Sequence, residues 1–226
     1  MASLDASLAK PIAKEAPRRR ALGVSGVFLP RLLAGLAIVL VWEASVRAFL
    51  PAYVAKPSTV LLAIPKTVVD AAFLAATADT LGAVAQGLGI AVVIGTLVGL
   101  VIGRSPTADR MLRHYVNGFY AVPMIVILPL LSLWFGYTSA TRLATIVYAA
   151  IFSIVVNVSD GARAVPREYM EVARSFRAQR LRGLFEIVLP AATPYFLAGI
   201  RLAAGRALIG AVVAEFFTAI GGLGYF

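Results

Sequence analysis

Apolar residues in this chain come in long blocks. Residues 32–41 and 87–103 carry no charge, and residues 195–217 hold only Arg201, Arg206 and Glu215. A helix that crosses a bilayer needs ~20 mostly apolar residues. Inside a bilayer the backbone must satisfy its own hydrogen bonds, so helices and closed barrels are the available forms. Uninterrupted runs of this length favour helices. The chain is 60% hydrophobic and 14% charged over 226 residues, whereas a soluble domain is nearer half apolar and a quarter charged. There is room for about five spans with short loops, and none for a sizeable soluble domain.

The predicted organisation follows from these blocks. Residues 1–30 form a polar tail with Pro11, Pro17 and Arg18-Arg19-Arg20, lacking the pattern of a cleavable signal. It is expected to stay unstructured in the cytoplasm. Span 1 covers 31–50. Its Glu43 and Arg47 are four apart, so they share a face near the outer end and read as an interfacial pair. Residues 51–79 are interrupted by Pro57, Pro65, Lys66 and Asp70. They read as an outer loop carrying an amphipathic surface helix, with Lys66 and Asp70 paired. Span 2 covers 80–103. There Ala91, Gly95, Gly99 and Gly103 recur every four residues, a row that lets a neighbouring helix backbone approach closely. Its Gln86 is polar at membrane depth and reads either as an interhelical hydrogen-bonding residue or as a pathway residue. Span 3 covers 115–135 and contains Pro123 and Pro129, each of which removes a backbone donor. Broken helices are tolerated in membranes where they face protein or a water-filled cavity, so Pro123 reads as a cavity-lining position. Spans 4 and 5 cover 143–158 and 190–217.

The chain has a net charge of +10 and no cysteine. In a soluble protein such a balance suggests nucleic acid. Here the basic residues sit between apolar runs and report orientation instead. With the tail inside, fifteen of the 21 Lys and Arg fall on the cytoplasmic side, four outside (Arg47, Lys56, Lys66, Arg142) and two, Arg201 and Arg206, within a span. Cysteine chemistry is excluded. His114, the single histidine, reads as a solvated residue at the membrane edge. Polarity at membrane depth marks Gln86, Arg206 and Glu215, with Pro123, as candidate pathway residues.

The one long polar loop between spans, 159–190, lies on the cytoplasmic side of this arrangement. Tyr169, Val172, Phe176, Leu181, Leu184, Phe185 and Val188 recur at helical spacings. Short amphipathic helices held outside the membrane bury that face on the lipid surface or on a soluble partner.

Within this loop, Glu171-Val172-Ala173-Arg174 followed by Ile187-Val188-Leu189-Pro190 resembles the cytoplasmic loop of permeases in ABC importers that use a binding protein. The flanking Val122-Pro123, Leu128-Pro129-Leu130, Trp134-Phe135-Gly136, Ala214-Glu215 and Gly222-Leu223-Gly224 agree. The branch resembled is the nitrate, sulfonate, taurine and bicarbonate one. The resemblance implies an all-α, multi-pass transmembrane bundle of the ABC importer permease type in the bacterial inner membrane. Five spans are visible, and a sixth is expected beyond Phe226. It implies a pathway for a small organic or inorganic anion between two permease copies, with membrane lipids around it and a periplasmic or lipid-anchored solute-binding protein as a further partner. It implies that the loop docks on a separate ATPase subunit, through Glu171, Ala173, Arg174, Phe176, Arg177, Gly183, Leu189 and Pro190. Arg177 stands where the family has a glycine. No Gly-x4-Gly-Lys-Ser/Thr phosphate loop occurs in the chain. ATP and Mg are therefore expected on the partner, with no cofactor, metal, catalytic residue or nucleic acid for this chain. The alternatives are an ion-coupled secondary transporter or channel, which wants carboxylates or histidines at the midplane, and a membrane-embedded enzyme, which wants clustered catalytic residues.

Overall fold

The computed structural model describes residues 24–49, 54–166, 168, 169, 171, 175 and 183–226. Most of the tail lies outside the described residues. All regular structure among the described residues is helical, as the apolar blocks predict. The chain divides into two units between residues 66 and 67.

The first unit holds α1 (Val24–Phe49) and α2 (Pro57–Val68), whose last two residues pass the boundary. The expected pair forms at the end of α1, with Arg47 Nε donating to Glu43 Oε1 at 2.6 Å. Glu43 also does something that spacing did not reveal. It accepts from the Ser58 amide at 3.0 Å and the Ser58 hydroxyl at 2.8 Å. A carboxylate on one helix thus satisfies an orphan N–H at the start of the next, where the helix dipole favours negative charge.

The second unit begins with a correction. Lys66 and Asp70 do not share a helix. Asp70 leaves helical geometry (φ −69°, ψ 127°) and its side chain accepts from the Ala72 amide at 2.8 Å, capping α3 (Ala71–Arg104). A short acceptor beside a free amide favours the cap over the ion pair. The helix of span 2 therefore starts at Ala71, not at residue 80. Its 34 residues reach ~51 Å at 1.5 Å each, more than a bilayer core of ~30 Å, so its ends stand outside the hydrocarbon.

Helices α4 (Pro106–Ala121), α5 (Met124–Phe135) and α6 (Ser139–Ala164) follow. A π-helical turn (Leu184–Val188) and a short helical turn (Leu189–Ala191) then lead into α7 (Thr193–Thr218). The centre of the unit is α6, packed between α3 and α7. The four-residue row of small residues on α3 extends back through Gly87 and faces a four-residue row on α6. A Cβ at Gly95 would lie 3.0 Å from Ile154 Cβ, and one at Gly99 would lie 2.8 Å from Val158 Cβ. Gly87 meets Ile146, and Gly103 meets Ala162. Each of these pairs is 59 positions apart, so α3 and α6 run parallel. On the other side of α6, Gly199 meets Asn157 and Gly210 meets Ala149, so α7 runs antiparallel. Its buried row, Gly199, Ala203, Ala207, Ala211 and Glu215, is again spaced by four. With no hydrophobic drive between helices in lipid, this close approach is what holds them together.

The parallel pair fixes the path of the chain. Helix α3 ends where Arg104 Nη1 donates to Ala162 O at 3.2 Å, beside the last turn of α6. Helix α6 begins at the opposite end, where Arg142 Nη1 meets Asp79 Oδ2 at 2.6 Å. Between them α4 and α5, bent by 99° to one another, must cross the whole unit. They form one broken span. With α1, α3, α6 and α7, each long and apolar enough to cross a membrane, this broken pair brings the spans among the described residues to as many as five.

Candidate functional site

The break between α4 and α5 is local in origin. Pro123 has no N–H and disfavours helical geometry in the residue before it. Val122 is accordingly extended (φ −70°, ψ 125°), and so is Pro123 (φ −58°, ψ 129°). Pro129 sits inside α5 without breaking it. A helix end at membrane depth leaves carbonyls that need donors. One is supplied from α6, where Tyr148 Oη donates to Phe119 O at 2.8 Å. The Phe119 ring also stacks on Phe152, with centroids 6.1 Å apart.

The break opens a cavity of about 380 Å³. Its lining includes Tyr120, Pro123, Met124, Tyr148 and, from α7, Arg206. Arg206 Cζ lies 4.3 Å from the centroid of the Tyr120 ring, a cation–π contact. Counting from Thr193, Arg206 is the fourteenth residue of the 26 in α7, which places it at the middle of a span. A cation there costs ~2.5–3.5 kcal/mol against lipid, so it belongs on a wet or protein-lined surface. The N-terminus of α5, with its partial positive charge, opens on the same cavity. Basic charge and a helix dipole together suit a small anion.

The four candidate pathway positions separate. Pro123 and Arg206 come together at this cavity. Gln86 lies exposed on the outward side of α3. Glu215 has no exposed surface at all. It accepts from Thr80 Oγ1 at 2.9 Å, from the Gly224 amide at 3.0 Å and from Arg142 Nη1 at 3.3 Å. The Leu223 amide in turn donates to Thr80 Oγ1 at 2.8 Å. Arg142 also meets Asp79 and the carbonyl of Gly221. Gly222, at φ 147°, passes so close that a Cβ would overlap the Glu215 carboxylate. Glu215 therefore holds α3, α6, α7 and the C-terminal turn together, and its closed setting gives it no surface along a pathway.

In the 159–190 loop, Glu171 is helical and exposed, with its carbonyl accepting from Ser175 Oγ at 3.1 Å. Gly183 is buried, Leu189 is half-buried against the core cluster and Pro190 is exposed. Ala173, Arg174, Phe176 and Arg177 lie outside the described residues. Sequence reasoning passed over Tyr120 and Tyr148, and read Arg142 only as an outer-side charge. The only signal was a tyrosine hydroxyl inside a span rich in Ile and Val. It also passed over a second ionic cluster, where Asp109 Oδ1 accepts from Arg113 Nε at 2.6 Å and from Arg163 Nη2 at 2.9 Å.

Residues 91–226 match the family described as the binding-protein-dependent transport system inner membrane component. Among curated proteins the chain is similar to the formylaminopyrimidine transport permease protein of Halalkalibacterium halodurans, at 29% identity over 84% of this chain and 76% of the relative. It is similar to the taurine transport system permease protein of Escherichia coli, at 31% identity over 84% of this chain and 72% of the relative. It is also similar to the bicarbonate transport system permease protein of Synechococcus elongatus, at 31% identity over 66% of this chain and 54% of the relative.

Proposed function

The chain belongs to the family of binding-protein-dependent transport system inner membrane components, and on that premise we propose that two copies form the solute pathway of an ATP-driven importer for a small anion. Arg206 at mid-span, turned to the cavity at the helix break rather than paired with a carboxylate among the described residues, is the observation that carries the anion reading. Taurine and bicarbonate in the names of two relatives agree with it. The formylaminopyrimidine relative does not bear on charge, so the reading rests on Arg206.

The loop 159–190 couples the pathway to a separate ATPase subunit, which binds ATP and Mg. A solute-binding protein delivers the anion from the other side. Exposure of Glu171 on a helical segment supports the docking role. Orientation follows from charge. Arg104, Arg110, Arg113 and Arg163 cluster where α3 and α6 end, against Arg142 at the opposite end, which supports a cytoplasmic loop side, and the basic run Arg18-Arg19-Arg20 supports a cytoplasmic N-terminus.

Two measurements test this. Replacing Arg206 with alanine removes a charged contact of about 1.5–3 kcal/mol to an anion, or roughly 10- to 150-fold in uptake. Arg206→Lys should retain part of the rate. Uptake of taurine, bicarbonate and nitrate by cells carrying Arg206→Ala measures it, and an unchanged rate for a transported anion overturns the anion site. Separately, Glu171→Lys should weaken co-purification of the ATPase while the permease still inserts. Undiminished co-purification sinks the docking role.

A further inference from the structure

We propose that Asp109 is a positioning residue for coupled transport, tying α4 to the last turn of α6 so that movement of the 159–190 loop reaches the cavity at the helix break. The inference rests on the reading that this loop engages the ATPase.

Helix α4 buries none of its residues. Two polar attachments connect it to α6. At one end, Asp109 Oδ1 bridges Arg113 of its own helix and Arg163 of α6, with Asp160 of α6 4.0 Å from both arginines. At the other end, Tyr148 Oη of α6 holds Phe119 O, one residue before Tyr120 in the cavity wall. The two attachment points on α4 are ten residues apart, or ~15 Å along the helix. A rigid rod pinned at two points transmits a shift of one pin to the other. The first pin sits beside the loop, since Arg163 is the penultimate residue of α6 (Ser139–Ala164). Val165, next along, is buried, and Pro166 follows it. Glu171 is then only seven positions beyond Ala164. Helices α3 and α6 are meanwhile joined by close backbone packing and by Arg104 on Ala162 O. With none of its residues buried, α4 is the element that can tilt about its Tyr148 attachment when the Arg163 end shifts. The Asp109 cluster is partly solvated, with side-chain exposures of 28% for Asp109 and 42% for Arg163. Partly solvated ion pairs contribute modestly to folding, and Asp109→Asn keeps a side-chain oxygen that accepts from the two arginines, so the substitution tests coupling with little change in stability.

The experiment uses the complete transporter, permease with its ATPase and binding protein, in proteoliposomes. Because the chain has no cysteine, Ala121→Cys in the cavity wall gives a single reporter in the permease. Its reaction rate with a charged methanethiosulfonate reagent is measured with and without ATP, Mg and vanadate. The parent protein should change rate by about fivefold or more on trapping. Asp109→Asn should bring that ratio close to one while the ATPase still co-purifies and still hydrolyses ATP. Asp109→Glu, which keeps the carboxylate, should restore it. An Asp109→Asn protein that responds like the parent overturns the inference and leaves the docking reading intact. So does an Asp109→Glu protein no better than Asp109→Asn. Loss of ATPase co-purification with Asp109→Asn also overturns it, since Asp109 would then act in assembly. A parent protein whose rate ignores nucleotide overturns the docking reading and this inference together.

Discussion

Glu215→Ala is expected to destabilise the permease by about 3 kcal/mol, at the lower end of the range for removing one partner from a buried ionic pair. The carboxylate is fully buried. It is the shared acceptor for a threonine hydroxyl, a backbone amide and an arginine, drawn from α3, the C-terminal turn and α6. Removing it leaves the Gly224 amide without its acceptor, and an unmet buried donor costs ~1–3 kcal/mol by itself. Asp79 still pairs with Arg142, which keeps the loss from being larger. The midpoint of detergent-induced unfolding in mixed micelles measures the effect. A shift equivalent to less than ~1 kcal/mol, the ceiling for a solvated pair, would contradict the buried arrangement.

Gly99→Leu is expected to cost about 3 kcal/mol or more, the upper range for overpacking, and to remove uptake. A Cβ at this position would lie 2.9 Å from the Val155 carbonyl oxygen as well as 2.8 Å from Val158 Cβ. A side chain can rotate away, but a backbone oxygen inside a helix cannot. The helices must separate, and separation loosens the contacts at Gly95 and Gly103 on the same row. The same helix supplies its own control, because nothing lies within 4 Å of a Cβ at Gly89. Gly89→Leu should stay within ~0.5 kcal/mol of the parent, as surface changes do. Equal losses for the two variants would mean that glycine matters here for flexibility rather than for close approach.

Much of the fold was legible in the sequence because its cause is local. The apolar blocks marked the spans, Pro123 marked the break, and Ala91, Gly95, Gly99 and Gly103 marked the packing face of α3. The partner row on α6, Ile146, Ala150, Ile154, Val158 and Ala162, has the same spacing. It was hidden because a mixture of Ile, Val and Ala in an apolar span gives no sign of which helix it faces. The start of α3 was misplaced because Asp70 reads equally as half of an ion pair and as a cap, and only backbone geometry separates the two. The site was less legible. Arg206 stood out as a charge in an apolar run, but Tyr120 and Tyr148 gain meaning only when the broken helix brings them to it. Glu215 stood out for the same reason and proved to be a structural tie. Its partners Thr80 and Arg142 are 135 and 73 positions away, and no periodicity links charges on different helices.

The position of α6 between α3 and α7 also sets an order of events during synthesis. Gly87 is made 59 positions before Ile146, the residue that covers it. At ~5–20 residues per second, α3 waits roughly 3–12 s with its row of bare backbone unoccupied. In that interval the ribosome completes α3 and delivers α4 and α5, so the row on α3 has not yet met its permanent neighbour α6. Helix α6 then closes on that row as a keystone, and α7, made after it, locks it from the far side. The glycine row that makes the finished unit tight is thus also the surface that must be kept from wrong partners while the chain is still being made.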